Sequence, residues 1–263
     1  MSASSVDDPD DPRVADFVGL RDADRLAAGV VVIEGPFAVE KLVGSRFAVR
    51  SILVTPSHRA DVDPIAAATG APIVVASQRV MDAVAGFHIH RGVVASADRP
   101  AALDASAVLD GAQRVAVLEH VTDHENLGSV FRNAAAFGID AVLTCPRTAD
   151  PLYRRSIRVS MGHVLRVPFA RLDPWPDSLA LLSGRGFRLL ALTPDLSATP
   201  LSAIPVGPDD RVAVLLGAEG PGLSDDAMAR ADERVRIPMA DGVDSVNVAT
   251  AGAIAFHHFF PPG

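Results

Sequence analysis

The sequence predicts an α/β protein of two successive domains, the larger one built around a mostly parallel sheet. Three observations carry this. Runs of β-branched residues alternate with helix-spaced stretches from residue 13 to residue 98. The alternation restarts with longer units at Arg114. Between them lies a weakly patterned stretch rich in Ala, Asp and Pro, read as a linker over 99–112. Alternation of this kind favours parallel strands covered by helices.

In the first half, Val30–Ile33, Val49–Val54, Ile73–Val75 and Val93–Ala95 have strand length and composition. Pro36–Val43, Pro64–Thr69 and Gln78–Val84 have helical spacing, two of them with proline at the start, where its missing N–H costs nothing. In the second half the expected strands are Val115–Leu118, Ala141–Leu143, Arg188–Leu192, Val212–Leu216 and Val235–Ile237. The expected helices are Gly128–Phe137, Ser178–Ser183, Asp225–Ala231 and Val246–Phe259.

Composition bounds the class. With 263 residues, 49% hydrophobic and a mean hydropathy of +0.25, the chain can bury a core large enough to offset its ordering entropy. No run reaches the roughly 18 apolar residues of a spanning helix, so no membrane partner is expected. Met1–Asp16 carries five aspartates and no apolar stretch, which predicts a disordered tail over 1–12 rather than a signal peptide. Cys145 is the single cysteine, which excludes internal disulfides and fits a reducing cytoplasm. The net charge of −8 lacks the usual nucleic-acid signature, yet Arg147, Arg154, Arg155, Arg158, Arg166 and Arg171 stand against Asp150 alone. That patch is either a solvated face or a phosphate contact.

Three segments of the second half follow strands with loops of Gly, Asn, Ser or Pro, where open α/β sheets bind ligands. The first runs Glu119–Asn133, with Asn126 suited to a helix N-cap and Arg132 six residues on, about 9 Å along the axis and offset by roughly 120°. Both can reach the mouth of one pocket; otherwise Arg132 is a surface arginine. The second, Gly217-Ala-Glu219-Gly220-Pro-Gly222-Leu223-Ser224, is neither a dinucleotide fingerprint nor a phosphate loop. Its glycines let backbone pass close to a flat ligand, or simply make a tight turn capped by Ser224. Glu219 is unexplained by a turn. The third is Ile237-Pro-Met239 leading to Ser245-Val246-Asn247-Val248-Ala249, with Ser245 as an expected N-cap. An asparagine among Val and Ala is costly unless its amide finds a partner. A polar pair beside an apolar Ile-Pro-Met edge suits a ligand with an apolar ring and a charged end.

In order and spacing these segments resemble the three motifs of the SpoU/TrmH family of RNA 2′-O-ribose methyltransferases, in the knotted SPOUT class. The matching patterns are N-L-G-S-x-x-R (Asn126–Arg132), G-A-E-G-x-G-L (Gly217–Leu223) and I-P-M…S-V-N-V-A (Ile237–Ala249). The third loop is one residue longer than the common form, with Ala240 and Asp241 before Gly242. The residues Val32-Ile-Glu34-Gly35-Pro-Phe-Ala-Val39 and Phe87-His-Ile-His90-Arg91-Gly92 resemble the L30e-like RNA-binding module that precedes this domain in members such as the thiostrepton-resistance methyltransferases.

The resemblance implies an L30e-like domain over 13–98 and a trefoil-knotted methyltransferase domain over 113–263, active as a cytoplasmic homodimer on RNA, ribosomal ahead of transfer RNA. It implies S-adenosylmethionine as cofactor, held by Leu192, Thr193, Gly217, Glu219, Gly220, Ile237, Met239 and Val246. Arg132 is the expected catalytic centre, supported by Asn126, Ser245, Asn247 and Glu219. Arg91, His90, Arg154, Arg155 and Arg158 are the expected RNA contacts, and Ala249, Ala253 and Ile254 on the last helix the expected dimer surface. No metal is expected: His120 and His124 lack the glutamate of a zinc helix. The alternatives are a transfer-RNA 2′-O-methyltransferase and a non-catalytic RNA-binding protein with a relic knot domain.

Overall fold

A computed structural model of the chain describes residues 4–19, 22–86 and 88–259. The elements open with β1 (Ser4–Val6), α1 (Asp22–Ala27), β2 (Val30–Glu34), α2 (Pro36–Glu40), β3 (Val49–Val54), α3 (Arg59–Thr69), β4 (Ile73–Ala76), α4 (Gln78–Ala85) and β5 (Val93–Asp98). They continue with α5 (Ala105–Val108), β6 (Arg114–Leu118), α6 (His124–Ala136), β7 (Ala141–Thr144), α7 (Arg154–Val159), β8 (Phe169–Arg171) and α8 (Ala180–Ser183). Last come β9 (Arg188–Leu192), β10 (Thr199–Pro200), β11 (Val212–Leu216), α9 (Asp225–Arg230), β12 (Glu233–Arg236) and α10 (Val248–Phe259).

The chain divides into two units: residues 1–101 with 151–166, and residues 102–150 with 167–263. The first holds a five-stranded sheet in the order β1-β4-β3-β5-β2, in which only β5 runs against its neighbours. Its core joins Val30, Val32, Leu53, Val74, Met81 and Val94. Three features differ from expectation. Residues 4–6 of the predicted tail form β1, because pairing with the β4 edge at Ser4–Val74 satisfies backbone groups and buries Val6. Helix α3 begins a turn before the predicted start, leaving Pro64 inside it. Residues 151–166, expected in the second domain, belong to the first unit. There α7 packs on β2, and Gly162 comes so close to α2 that a Cβ would stand 2.8 Å from Ala38 Cα. Phe87 lies outside the described residues.

The second unit holds seven strands in the order β10-β12-β9-β11-β6-β7-β8, every pair parallel. β11 is buried along its whole length, as a strand covered on both faces must be, which is why Val212–Leu216 is uniformly apolar. Helices α6 and α10 pack against each other, and α10 lies on β11 so closely that a Cβ on Gly252 would be 3.1 Å from Leu216 Cδ1. The predicted linker is part of this unit: α5 is capped by Asp104, Leu109 is fully buried and Leu103 bridges to Ala170. Strands β8 and β10 escaped sequence reading because three- and two-residue pairings carry no periodicity. Helix α10 starts at Val248 rather than Val246.

Candidate functional site

Strand register assembles the site. Val235 pairs with Leu192, Ala191 with Leu215, and Leu216 with Leu118, so β12, β9, β11 and β6 end side by side. The residues after those ends are Ile237 and Met239, Thr193 and Pro194, Gly217–Leu223, and Glu119–Asn126. The first three sets line a cavity of about 580 Å³, together with Leu192, Ser245, Val246, Asn247 and Val248. All eight predicted cofactor residues are in its wall. One edge is apolar side chain (Leu192, Leu216, Ile237, Met239, Val246) and another is glycine backbone.

At the rim, Asn247 ties the three motifs together. Its amide nitrogen donates to Asn126 Oδ1 at 2.7 Å and to Glu219 Oε1 at 2.9 Å. Its oxygen accepts the Ala249 and Thr250 N–H groups, so Asn247, not Ser245, caps α10. The costly asparagine thus has every group engaged. Asn126 is likewise not the α6 cap. Asp123 is, accepting the Glu125 and Asn126 N–H groups at 2.8 Å. That frees the Asn126 side chain, in the first turn of α6, to meet Asn247. Ser245 is exposed on the cavity wall. Arg132 is exposed further along α6 and does not line the cavity.

Sequence reasoning gave the glycines a ligand to approach; part of their room is taken by the loop itself. A Cβ on Gly217 would sit 2.1 Å from Gly222 C and 2.2 Å from Leu223 N, where the loop folds back and Gly222 N–H donates to Ala218 O. Gly220 and Gly222 adopt φ of +87° and +73° to make that turn. The far end is pinned by a residue sequence reasoning passed over. Glu119 is buried and accepts hydrogen bonds from Ser224 N–H, Ser224 Oγ–H and the Trp175 indole N–H at 2.7–2.8 Å. The signal was present: a carboxylate directly after the apolar run of β6.

The predicted RNA contacts all fall in the first unit. His90 and Arg91 are exposed on the loop entering β5, and Arg91 Cδ passes 3.2 Å from where a Gly35 Cβ would lie. Arg154, Arg155 and Arg158 are on α7, Arg155 and Arg158 exposed. Sequence reasoning missed His58, which bonds Thr55 Oγ1 at 3.0 Å and stands so near Gly92 that a Cβ there would be 2.7 Å from its Nδ1. Of the expected dimer residues, Ala249 is buried and its carbonyl accepts from Asn133 Nδ2, so α6 already occupies that face. Ile254 is 38% exposed, as are Val243 (49%) and Val246 (37%) nearby in sequence. Cys145 is buried, its sulfur accepting the His120 N–H. Among the described residues no helix is long and apolar enough to cross a membrane.

Comparison with known proteins agrees with this geometry. The SpoU rRNA Methylase family model matches residues 113–257. The chain is 48% identical to an uncharacterized tRNA/rRNA methyltransferase of Mycobacterium tuberculosis, over 100% of this chain and 96% of that protein. It is 31% identical to the 23S rRNA (guanosine-2′-O-)-methyltransferase RlmB of a Burkholderia species, over 72% of this chain and 77% of that one. In fold it is similar to the AdoMet-bound rRNA methyltransferase of Sinorhizobium meliloti, with a TM-score of 0.82, 22% identity and 97% of each chain covered.

Proposed function

The chain belongs to the SpoU rRNA methylase family, and we propose that it methylates a ribose 2′-hydroxyl of RNA, ribosomal ahead of transfer RNA, using S-adenosylmethionine. The observation that carries this is the Asn247 amide, which joins Asn126 and Glu219 on the rim of a cavity walled by the predicted cofactor residues. A cavity of about 580 Å³, apolar on one edge and exposed backbone on another, suits a ligand with a flat ring and a charged end. Leu192, Ile237, Met239 and Val246 would take the apolar part; Thr193, Gly217 and Gly220 would take the polar part. Bound there, the cofactor supplies an electrophilic methyl carbon.

The remaining work belongs to the chain. Methyl transfer is an in-line displacement, so holding the acceptor hydroxyl in line supplies much of the acceleration. Asn126 and Ser245 orient the ribose, with Asn247 and, through it, Glu219 holding Asn126 in place. Arg132 meets the charge that develops on the 2′-oxygen. Its N–H donors stabilise the alkoxide as the hydroxyl proton passes to solvent water. His90, Arg91, Arg154, Arg155 and Arg158 contact RNA phosphates, and the 2′-hydroxyl itself separates RNA from DNA. In this reading the C-terminal helix α10 tucks through a loop to make the family's trefoil knot. The enzyme works in the cytoplasm as a homodimer whose interface draws on Ala253 and Ile254 of α10.

The test is to incubate the protein with methyl-labelled S-adenosylmethionine and either ribosomal or bulk transfer RNA, then hydrolyse with alkali. A ribose 2′-O-methyl group blocks alkaline cleavage, so label should appear in alkali-stable dinucleotides from ribosomal RNA. Label confined to alkali-labile mononucleotides, or none, would overturn the reaction; label from transfer RNA alone would overturn the substrate.

A further inference from the structure

The end of β6 holds a carboxylate that none of the steps above uses. Glu119 follows four fully buried apolar residues and is itself 1% exposed. A carboxyl so placed is costly unless its oxygens are filled. They are: Oε2 accepts the Ser224 backbone N–H at 2.8 Å, while Oε1 accepts the Ser224 hydroxyl and the Trp175 indole N–H, both at 2.7 Å. The Ser224 hydroxyl in turn accepts the Ala227 N–H as the cap of α9. Ser224 directly follows Gly222 and Leu223, which line the cavity. The 217–224 loop is therefore held at two points by two carboxylates. Glu219 ties its middle to Asn247 at the rim, and Glu119 ties its far end to the sheet.

We infer that Glu119 is a positioning residue for the cofactor: it sets the Gly222–Leu223 backbone against the cavity and links that backbone to Trp175. This rests on the reading that the cavity takes S-adenosylmethionine. Three donors converge on Glu119, and a carboxylate, which only accepts, matches them. A glutamine of the same shape would turn an N–H toward a donor and leave at least one group unpaired in a buried place. A lost charge-assisted bond of this kind corresponds to about tenfold or more in an equilibrium constant.

Trp175 is the chain's only tryptophan, so its fluorescence reports this cluster alone. Full-length protein is titrated with S-adenosylmethionine, following tryptophan emission and, in parallel, heat by calorimetry. In the wild type the emission should shift saturably with the calorimetric Kd. Glu119→Gln should raise that Kd about tenfold or more and abolish the shift; Glu119→Asp, still acceptor-only, should recover part of both. Flat wild-type emission during calorimetrically proven binding, or an unchanged Kd in Glu119→Gln, overturns the inference and leaves the proposed function intact. No binding by the wild type overturns both. Should Glu119→Gln fail to fold, the wild-type emission and Trp175→Phe, expected to weaken binding a few-fold by removing one of the donors, still decide.

Discussion

The two units solve the same packing problem and end with different surfaces. The second runs all seven strands one way, so the loops after β12, β9 and β11 line one cavity of about 580 Å³ and Asn126, beyond β6, meets its rim. The first reverses β5, so the loop entering β5 meets the ends of β2 and β3, where Gly35 N–H bonds Val93 O and Thr55 N–H bonds Gly92 O. That end carries exposed His90 and Arg91 with half-buried His58. One unit concentrates backbone amides and side-chain amides around a concavity; the other presents cations and imidazoles outward. On the proposed function the difference separates two tasks: alignment of reacting atoms needs the first kind of site, phosphate contact needs only the second.

The division is most sharply tested by Arg132→Ala. Turnover should fall at least about 100-fold, as for loss of a group acting on transition-state charge, with S-adenosylmethionine affinity nearly unchanged. Single-turnover methylation and calorimetry measure the two, and turnover within a few-fold of wild type would remove Arg132 from the reaction. A matched pair of glycine substitutions comes next. Gly217→Ala and Gly162→Ala each force a Cβ to within 2.1 Å and 2.8 Å of backbone, the latter also at φ +80°. Each should cost about 1–3 kcal/mol of stability. Only Gly217→Ala should also weaken cofactor binding; equal weakening by Gly162→Ala would erase the distinction between the units.

Smaller in effect is Arg91→Ala combined with His90→Ala. RNA affinity titrated over a salt series should flatten by roughly one unit of slope for each phosphate no longer neutralised, with cofactor affinity unaltered. An unchanged slope would move RNA binding to α7. The smallest effect is a pH dependence in the same loop. Burial of Asp82 pushes its carboxyl up, but bonds from His88, the Ile89 N–H and Gln78 outweigh that and hold it below its ordinary 3.8. A depressed carboxyl stabilises the fold above its unfolded value and loses that contribution as the pH falls through the folded one. The melting-temperature gap between wild type and Asp82→Asn should therefore be open at neutral pH and close below pH 3.8.

Legibility tracked the range of the interactions involved. The long strands Val49–Val54 and Val212–Leu216 were readable to the residue, the second because burial along its whole length dictates its composition and the first from the buried Ile52–Val54 run at its end. The cavity wall was readable because most of it falls in contiguous motifs. What stayed hidden depended on partners far along the chain. The cap of α6 passed to Asp123 and that of α10 to Asn247, since Asn126 and Asn247, 121 residues apart, bond each other. Glu119 was silent until Ser224, 105 residues away, appeared beside it. The expected tail and linker hid Val6 and Leu109, single apolar residues whose burial no local pattern announces.

The placement of residues 151–166 in the first unit sets a timetable for the nascent chain. The first unit lacks its last piece when Ala101 is made, and 49 residues of the second unit, 102–150, precede that piece. At about 5–20 residues per second a ribosome takes roughly 2–10 s to cover that interval. During it β2 awaits α7, and β6 and β7 have emerged before the strands that pair with them on either side. The units therefore cannot mature strictly in order, and completion of the first is tied to synthesis well into the second.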